Sequence, residues 1–396
     1  RTHKPEVSGS IPLPATILNI KVIKKILKKL FKFISYGIFF KIYGKIEKSI
    51  EISDDKRVKI NITHKENNLK YNIYNIANGR LYTDRIQDTA ILLDNKIINQ
   101  PSFQLRRTHD SKIYNSKVEN NIVFKNGTPR ILKKINGSML SMLTGGGGNN
   151  NYWHWLFDVL PRLSLYNDTA NTAEIDYYLL PDIKKRYQTE TLDYLKIPEN
   201  KRLSSEKFRH VKAKRLIVTD HPVMVTGNAT KDIMNMPAWI SFWLKNTFVN
   251  KNIENDENSK KKIYIDRSSS DTKHRPQRLI SNENEVKNYL LNNQFVSVKL
   301  HETNFIEQVK LFRNAECIVG LHGGGFANLA FCKPGTRVIE LRSSNAGVPI
   351  ENLAKKNNLN YNSVIVEAKQ IESFNFPNQQ GSIHVPLTNL IELIKN

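Results

Sequence analysis

The chain has 396 residues, 39% of them hydrophobic and 9% aromatic, which is too long for one compact core and sufficient for two α/β domains. Lys and Arg number 60 against 37 Asp and Glu, and the net charge of +23 favours phosphorylated substrates, an anionic membrane or nucleic acid as partners. Two cysteines exclude a disulfide framework and favour a reducing compartment; the sequence has neither a zinc-binding pattern nor an uncharged apolar run long enough to span a bilayer.

A run of lysines and apolar residues from Lys21 to Ile50 is the first predicted element. The apolar residues recur at helical spacing and lysines fill the other face, so residues 1–50 are expected to hold a tail followed by a basic amphipathic helix. One interpretation is an interfacial helix on an anionic membrane, which predicts a peripheral protein on the cytoplasmic face. The alternative is a helix packed on the main body with a solvated lysine face. Nucleic acid is not expected as a partner, because the polar face has lysine without arginine.

Residues 51–249 are predicted to form an acceptor-side α/β domain with a parallel sheet. One helix is expected to begin near Tyr152, and another is expected to cover Trp239–Val249. The predicted strands are short apolar runs: Val58–Ile62, Tyr71–Ile76, Thr89–Leu93, Ile122–Phe124, Tyr177–Leu180 and Arg215–Val218. Residues 250–262 are polar and form the expected linker.

Residues 263–396 are predicted to form a second, Rossmann-like domain, because strands and helices alternate regularly there. The predicted strands are Ile263–Asp266, Phe295–Lys299, Cys317–Gly320 and Arg337–Leu341, the last of which is expected to close the series. The predicted helices are Asn284–Asn292, Asn304–Asn314 and one that follows the glycine-rich turn after Gly320. The fold class is therefore α/β with two domains.

The most specific segment is the turn after Gly320, which reads Gly-Leu-His-Gly-Gly-Gly-Phe-Ala-Asn and ends at Asn328. A strand, a glycine turn and a helix N-terminus together form an anion site, because backbone N–H groups point outward and glycine lets phosphate approach. His322 is a candidate donor to a diphosphate oxygen. Glu340, at the end of the next strand, has the usual position of a ribose-binding carboxylate. A turn built only for close packing and a solvated acid are the alternatives.

A second segment contains His154 and Asp158, four residues apart, so a helix would place both side chains on one face. A carboxylate in that position orients the imidazole and raises its basicity, as a general base requires. The alternative is a core histidine between two tryptophans.

A third segment places Arg267 directly after the first strand of the second domain, with Arg275, Arg278, Asn282 and Glu283 following it. An arginine in that position can bind phosphate oxygens through both arms of its guanidinium group. A surface arginine is the alternative.

Together the three segments resemble the family 61 glycosyltransferases, which include plant xylan arabinosyl- and xylosyltransferases, animal O-linked N-acetylglucosaminyltransferases and bacterial capsule-type enzymes. The shared pattern covers residues 150–341 and consists of His-x-x-x-Asp with Leu-Pro-Arg, Tyr-Ile-x-Arg with Arg-x-x-x-Asn-Glu, and Gly-x-His-Gly-Gly-Gly-x-x-Asn. One departure is Gly325, followed by Phe326, where the family often has a small residue such as alanine.

The resemblance implies a GT-B architecture, in which two Rossmann-like domains face each other across a cleft, and an inverting transfer that needs no metal. It also implies a nucleotide-sugar donor bound mainly by the C-terminal domain; we expect that donor to be UDP-linked, and no other cofactor. The implied donor-binding residues are Arg267, Arg278, His322, Gly323, Gly324, Gly325, Asn328 and Glu340. His154 and Asp158 would face them, with His154 preferred as the catalytic base.

These features predict an inverting, metal-independent glycosyltransferase that extends a glycan or lipid-linked acceptor in capsule, lipopolysaccharide or other cell-surface polysaccharide synthesis. The competing hypothesis is a non-catalytic basic module that binds anionic membranes or nucleic acid. Such a module would explain the net charge of +23 but not the order of the three segments.

Overall fold

A computed structural model describes residues 15–51, 55–85, 88–102, 105–107, 113–115, 117–143, 150–249, 253, 261–267, 278–369 and 381–395. The α-helices are α1 Ala15–Tyr43, α2 Ile122–Asn126, α3 Tyr152–His154, α4 Pro161–Asn167, α5 Arg186–Tyr194, α6 Ala229–Met234, α7 Ala238–Phe248, α8 Glu283–Asn292, α9 Phe305–Arg313, α10 Pro349–Lys356 and α11 Leu387–Lys395. A π-helical turn, Trp155–Val159, joins α3 to α4, and a 3-10 helix covers Gly324–Phe331.

The strands of the N-terminal half are β1 Ser49–Ile50, β2 Val58–His64, β3 Lys70–Ala77, β4 Arg80–Thr83, β5 Thr89–Leu93, β6 Lys96–Ile98, β7 Leu105–Arg107, β8 Ile113–Asn115, β9 Lys133–Ser141, β10 Tyr177–Leu180, β11 Arg202–Ser204 and β12 His210–Thr219. Those of the C-terminal half are β13 Lys261–Ile265, β14 Arg278–Ile280, β15 Phe295–Val298, β16 Ala315–Leu321, β17 Arg337–Ser343, β18 Asn360–Val366 and β19 Gly381–Ile383.

Helix α1 ends earlier than the lysine-rich pattern suggests. Gly44 has φ +74°, and its N–H donates to the carbonyl of Phe40, so a glycine in the left-handed region terminates the helix. The last residues of the predicted helix instead form β1, which pairs with β6. The end of α1 is held on the body by Tyr43, whose hydroxyl accepts from the N–H of Leu132 at 2.9 Å. Among the described residues, no helix combines the length and the apolar character that crossing a bilayer requires.

The sheet of the N-terminal half has ten strands and is mixed, whereas the sequence analysis predicted a parallel one. Strands β9 to β12 pair in parallel, in the order β12-β9-β10-β11, and helices lie in the β9–β10 and β10–β11 connections. Strands β2 to β6 pair with antiparallel neighbours. The prediction is wrong for these strands because the connections β2–β3, β4–β5 and β5–β6 are too short for a crossover helix and form hairpins.

The segment Ile122–Phe124, predicted as a strand, lies in the short helix α2. The side chain of Asn121 accepts from the N–H of Val123 and caps the first turn, and Gly127 with φ +60° follows the last one. The three apolar residues fit a strand and a helix equally well, so the two capping residues decide the outcome.

The sheet of the C-terminal half has five strands, all parallel, in the order β15-β13-β16-β17-β18. The strand order reverses between β13 and β16, and in open α/β sheets ligands bind outside the carboxyl ends of the strands at such a point. The prediction that Arg337–Leu341 closes the series is wrong, since α10 and β18 follow. Strand β18 lies at the sheet edge with alternate residues exposed, which weakens its apolar signal.

One hydrophobic cluster continues from the N-terminal half into the C-terminal half. The ring centroid of Phe248, at the end of α7, lies 4.8 Å from the ring centroid of Phe305 and 6.3 Å from that of Phe331. The two sheets thus share a helical layer, and the α/β class is confirmed. The GT-B arrangement and the domain boundaries stay predictions, and of the expected linker only Ile253, Lys261 and Lys262 lie in the described residues.

Candidate active site

The glycine-rich turn follows β16 at the carboxyl edge of the parallel sheet. The carbonyl of His322 accepts hydrogen bonds from Nη1 of Arg267 at 3.0 Å and from Nη1 of Arg278 at 2.9 Å. The structure therefore brings together both predicted arginines and the turn. The helix expected after the turn is a 3-10 helix rather than an α-helix.

The three glycines of the turn differ in how much room surrounds them. A Cβ at Gly323 would lie 2.8 Å from Nη1 of Arg267, and one at Gly325 would lie 2.7 Å from Cδ1 of Leu300. At Gly324 the nearest atoms would be 3.6 and 3.8 Å away, which is ordinary contact. A side chain at either of these two positions would therefore displace its neighbour, Arg267 or Leu300, whereas the third position is open enough for a ligand to approach its backbone.

The two arginines, both half-buried, place positive charge beside the turn. Burial lowers the pKa of Arg267, while the charge of Glu283 opposes that shift. Burial also lowers the pKa of Arg278 to about 10, and the neighbouring charge of Arg267 adds to this effect. Both groups remain protonated at neutral pH, and an anion bound next to them would relieve their mutual repulsion.

Behind the turn, Glu340 is fully buried, with 0% of its surface exposed. One carboxylate oxygen contacts Nδ1 of His322, and the other accepts from the hydroxyl of Tyr361 at 2.5 Å. Both oxygens therefore have protein partners, away from the surface at which the ribose contact was expected. The geometry makes Glu340 a positioning group for His322, whose own pKa is lowered by burial despite this carboxylate.

Asn328 is also buried and links the turn to the N-terminal half. Its Oδ1 accepts from the hydroxyl of Tyr152 at 2.7 Å, and its Nδ2 donates to Oε1 of Gln308 at 3.0 Å and to the carbonyl of Gly325 at 3.2 Å. With 0% exposure, this side chain holds the turn in place rather than facing the cavity.

The second predicted pair lies where α3 passes into the π-helical turn. The side chain of Asn151 accepts from the N–H of Trp153 and caps α3. Nδ1 of His154 lies 2.6 Å from Oδ2 of Asp158, and the exposed fractions of the two side chains are 26% and 7%. The structure thus brings the two residues into direct contact, with the histidine as the more accessible partner.

A second histidine approaches Asp158 from the end of β12. Nδ1 of His221 accepts from the N–H groups of Val223 and Met224, at 3.2 and 3.3 Å, which leaves the ring proton on Nε2. That nitrogen lies 4.0 Å from Oδ2 of Asp158. Burial lowers the pKa of His221 to about 3, so this ring is neutral at physiological pH.

The carboxylate of Asp158 stays ionised in spite of its environment. Burial opposes ionisation most strongly, but the charge of His154 and its hydrogen bond, followed by His221 and Arg162, hold the pKa of Asp158 below its ordinary value. Arg162 is itself buried and donates from Nε to the carbonyl of Asp158 and from Nη1 to Thr219. An ionised carboxylate beside His154 is the arrangement that a histidine base needs.

The two parts of the site meet at the glycine turn. The Cβ position of Gly324 lies 3.6 Å from Oδ1 of Asn151 and 3.8 Å from the backbone nitrogen of Trp153, so the N-terminus of α3 adjoins the turn. A cavity of about 220 Å³ opens beside this contact, at the carboxyl ends of β13, β15 and β16. Its lining includes Tyr152, Tyr187, Arg267, Leu300, His301 and Gly323.

Residues 152–339 match the model of the family described as Glycosyltransferase 61. This segment is a family 61 glycosyltransferase domain. The matched segment contains the His154–Asp158 pair, both arginines and the glycine turn, and it ends one residue before Glu340. No curated protein matches the chain. The resemblance found in the sequence is confirmed, while assignment to the bacterial capsule type stays a prediction.

The remaining predicted residues of this glycosyltransferase have structural partners or lie outside the described residues. Asn282 and Val385 exchange two hydrogen bonds of 2.9 Å, and Glu283 accepts from the hydroxyl of Tyr264 at 3.1 Å. Arg275 is not among the described residues. Within the described part of the chain, no three His, Cys, Asp or Glu side chains are grouped so as to hold a metal ion.

Several residues of the glycosyltransferase site were not predicted. Tyr152 adjoins the predicted histidine motif, but among its aromatic neighbours in the sequence it is typical of a core residue. His221 and Gln308 reach the site from β12 and α9, and no local pattern in the sequence marks them. Tyr187 lines the cavity with a buried hydroxyl that has no hydrogen-bond partner among the described residues.

Proposed function

We propose that this glycosyltransferase moves a sugar from a nucleotide-sugar donor to a hydroxyl of a glycan or lipid-linked acceptor, with inversion at the anomeric carbon and without a metal ion. The convergence of Arg267 and Arg278 on the glycine turn, beside a cavity that the N-terminal half completes, carries the proposal. This convergence of the two arginines places an anion site next to a cavity of about 220 Å³ at the switch point of a parallel sheet.

The donor half binds the diphosphate. Arg267 lines the cavity together with the backbone of Gly323 and Gly324, so phosphate oxygens can receive hydrogen bonds from the guanidinium group and from the turn. Arg278 supports the same turn through the carbonyl of His322. Their charges stabilise the departing nucleoside diphosphate, which is the task that a metal ion performs in other transferases. We expect the nucleotide to be UDP.

The catalytic half removes the acceptor proton. Asp158 holds Nδ1 of His154, and we assign Nε2 as the nitrogen that receives the proton of the acceptor hydroxyl. The acceptor oxygen forms a bond to the anomeric carbon while the bond from that carbon to the phosphate oxygen breaks. The proton passes to Nε2 of His154, and the electron pair leaves with the nucleoside diphosphate. Because a single displacement occurs, the configuration at the anomeric carbon inverts.

His154 is preferred to Asp158 as the base because it is the more exposed of the two, with 26% of its side chain accessible against 7%. Oδ2 of Asp158 is also committed to His154 at 2.6 Å. The proposed biological role is cell-surface polysaccharide synthesis, for which the support is the resemblance to capsule-type enzymes.

Thermal unfolding with a panel of nucleotides, each with and without EDTA, tests the donor proposal. We expect stabilisation by UDP that chelation does not change, since a ligand at 100 times its Kd adds about 2.7 kcal/mol. Arg267→Gln should abolish the shift, whereas Arg186→Gln, at an exposed arginine on α5, should retain it. Stabilisation that depends on a divalent cation would disprove metal independence. The absence of a shift with any nucleotide would disprove the donor site.

A further inference from the structure

Residues 22–34 of α1 lie outside the packed body of the protein. Every residue from Val22 to Ile34 is exposed, and packing against the body begins only at Ser35. Phe31 and Phe33 have 74% and 79% of their surface accessible. The exposed apolar side chains of this segment are Val22, Ile23, Ile26, Leu27, Leu30, Phe31, Phe33 and Ile34. We call residues 22–34 the projecting segment.

Apolar and basic side chains occupy opposite sides of the projecting segment. At 100° per residue, the apolar positions cover roughly half of the helix circumference. The lysines occupy the other half: Lys24, Lys25, Lys28, Lys29 and Lys32. Residues 7–46 contain no Asp or Glu, so no acid of the same segment neutralises these lysines. The surface therefore combines a large exposed apolar strip with an uncompensated positive flank.

A groove beneath the helix adds a phosphate-compatible site. It has a volume of about 500 Å³ and lies between α1 and α2. Lys29, Lys32 and Lys125 line it together with the rings of Phe33 and Phe40. Three ammonium groups beside apolar rings match a lipid headgroup phosphate with its glycerol and upper acyl segments.

Charge complementarity selects the occupant of this surface. A second copy of the chain would cover the apolar strip, but it would bring another lysine flank and no acidic partner from residues 7–46. Nucleic acid would neutralise the lysines and leave the apolar strip in water. An anionic bilayer satisfies both sides of the helix, since apolar side chains enter the acyl boundary and lysines remain at the phosphates.

We propose that the projecting segment docks on an anionic phospholipid bilayer, with the groove between α1 and α2 holding one headgroup phosphate. The end of α1 is fixed to the body by Phe40 and Tyr43, so docking holds the glycosyltransferase at the membrane surface. The interaction is independent of the donor and of the catalytic histidine. Its failure and the failure of the proposed reaction are therefore separate results.

Co-sedimentation of the full chain with vesicles tests the docking. We expect binding to vesicles that contain phosphatidylglycerol, weakening with added salt, and little binding to phosphatidylcholine alone. Phe31→Glu with Phe33→Glu should reduce the affinity at least about 10-fold. The matched control is Phe242→Glu with Ile365→Glu, which changes two other exposed apolar residues by the same charge and should leave binding nearly unchanged.

A second pair of variants separates local from general charge. Lys25→Gln, Lys28→Gln and Lys32→Gln together should weaken binding roughly 100-fold at low salt, since each lysine near the surface contributes about fivefold. The same change at the exposed lysines Lys59, Lys212 and Lys214 should have a much smaller effect. Equal losses in both sets, or equal binding to neutral vesicles, would overturn the proposal. A dimer in light scattering that Phe31→Glu and Phe33→Glu dissociate would also overturn it, in favour of a second copy.

Discussion

The donor half and the catalytic half of the site are built from different kinds of groups in different parts of the chain. On the donor side, the backbone of a glycine turn and two arginines form a positive surface whose shape depends on close packing at Gly323 and Gly325. On the catalytic side, one accessible histidine depends on a buried carboxylate. We therefore expect substitutions that add volume to impair the donor half, and substitutions that change charge or protonation to impair the catalytic half.

The largest expected effect is that of His154→Ala, which should impair catalysis and leave donor binding intact. Loss of the base should lower kcat roughly 10²- to 10⁴-fold while the UDP-induced thermal shift stays unchanged. The measurement is steady-state transfer from a UDP-sugar, beside thermal unfolding with UDP. His64→Ala, at an exposed histidine on β2, is the control and should retain full activity. Near-normal turnover of His154→Ala would move the base to another residue.

Gly323→Ala disturbs the donor half by adding a methyl group without changing any charge. The added Cβ would lie 2.8 Å from Nη1 of Arg267, so the guanidinium group must move away from the turn. The loss of charge-assisted hydrogen bonds should weaken UDP binding roughly 10- to 100-fold, as measured by calorimetry.

Gly324→Ala is the informative comparison within the same turn, since a Cβ fits there at 3.6 Å or more. We expect this variant to keep the stability of the parent protein and to lose UDP affinity only if the nucleotide approaches that backbone. Unchanged UDP affinity in Gly323→Ala would show that the diphosphate binds away from Arg267.

Acid should destabilise the protein through two buried histidines, only one of which belongs to the catalytic half. Burial lowers the pKa of His210 to about 4 and that of His221 to about 3. Since the pKa in the unfolded chain is about 6.5, unfolding takes up protons below that value. Each histidine should therefore cost about 2 kcal/mol of unfolding free energy between pH 7 and pH 5.

Urea unfolding at the two pH values measures this loss. His210→Asn and His221→Asn should each remove about 2 kcal/mol of the pH-dependent part, and only the second should also change kcat, because His221 faces Asp158. An equal loss of activity in both variants would mean that His221 has no special relation to the site.

The smallest expected effect concerns the hydrogen bond that joins the halves. Tyr152→Phe leaves Oδ1 of Asn328 buried without the donor that lies 2.7 Å away in the parent protein. This should lower the unfolding free energy by about 1–2 kcal/mol. Tyr187→Phe is the matched control, because that hydroxyl has no partner among the described residues, and its change should be within about 0.5 kcal/mol. Similar effects of both substitutions would show that ring packing, not the hydrogen bond, joins the halves.

Much of the C-terminal fold was predictable because its strands are continuous apolar runs separated by clear helices. Strand β16 and helices α8 and α9 lie within a few residues of their predicted positions. Strand β18 was missed because an edge strand buries only part of its surface, and its sequence Asn-Tyr-Asn-Ser-Val-Ile-Val has a weak apolar pattern. In the N-terminal half five of the six predicted strands exist, but β9 and six other described strands were not predicted. The direction of strand pairing there depends on connection length, which the parallel prediction ignored.

The sequence by itself determined the groups that lie close along the chain. His154 and Asp158 are four residues apart, the glycines are adjacent, and Arg267 ends a strand, so local geometry was enough to nominate them. Only the tertiary structure decided which of the nominated side chains reach the cavity. Glu340 and Asn328 are covered by Tyr361, Gln308 and Tyr152, and His221 arrives at Asp158 from another strand. Burial is set by what packs over a side chain, and those covering residues come from parts of the chain that local spacing does not connect.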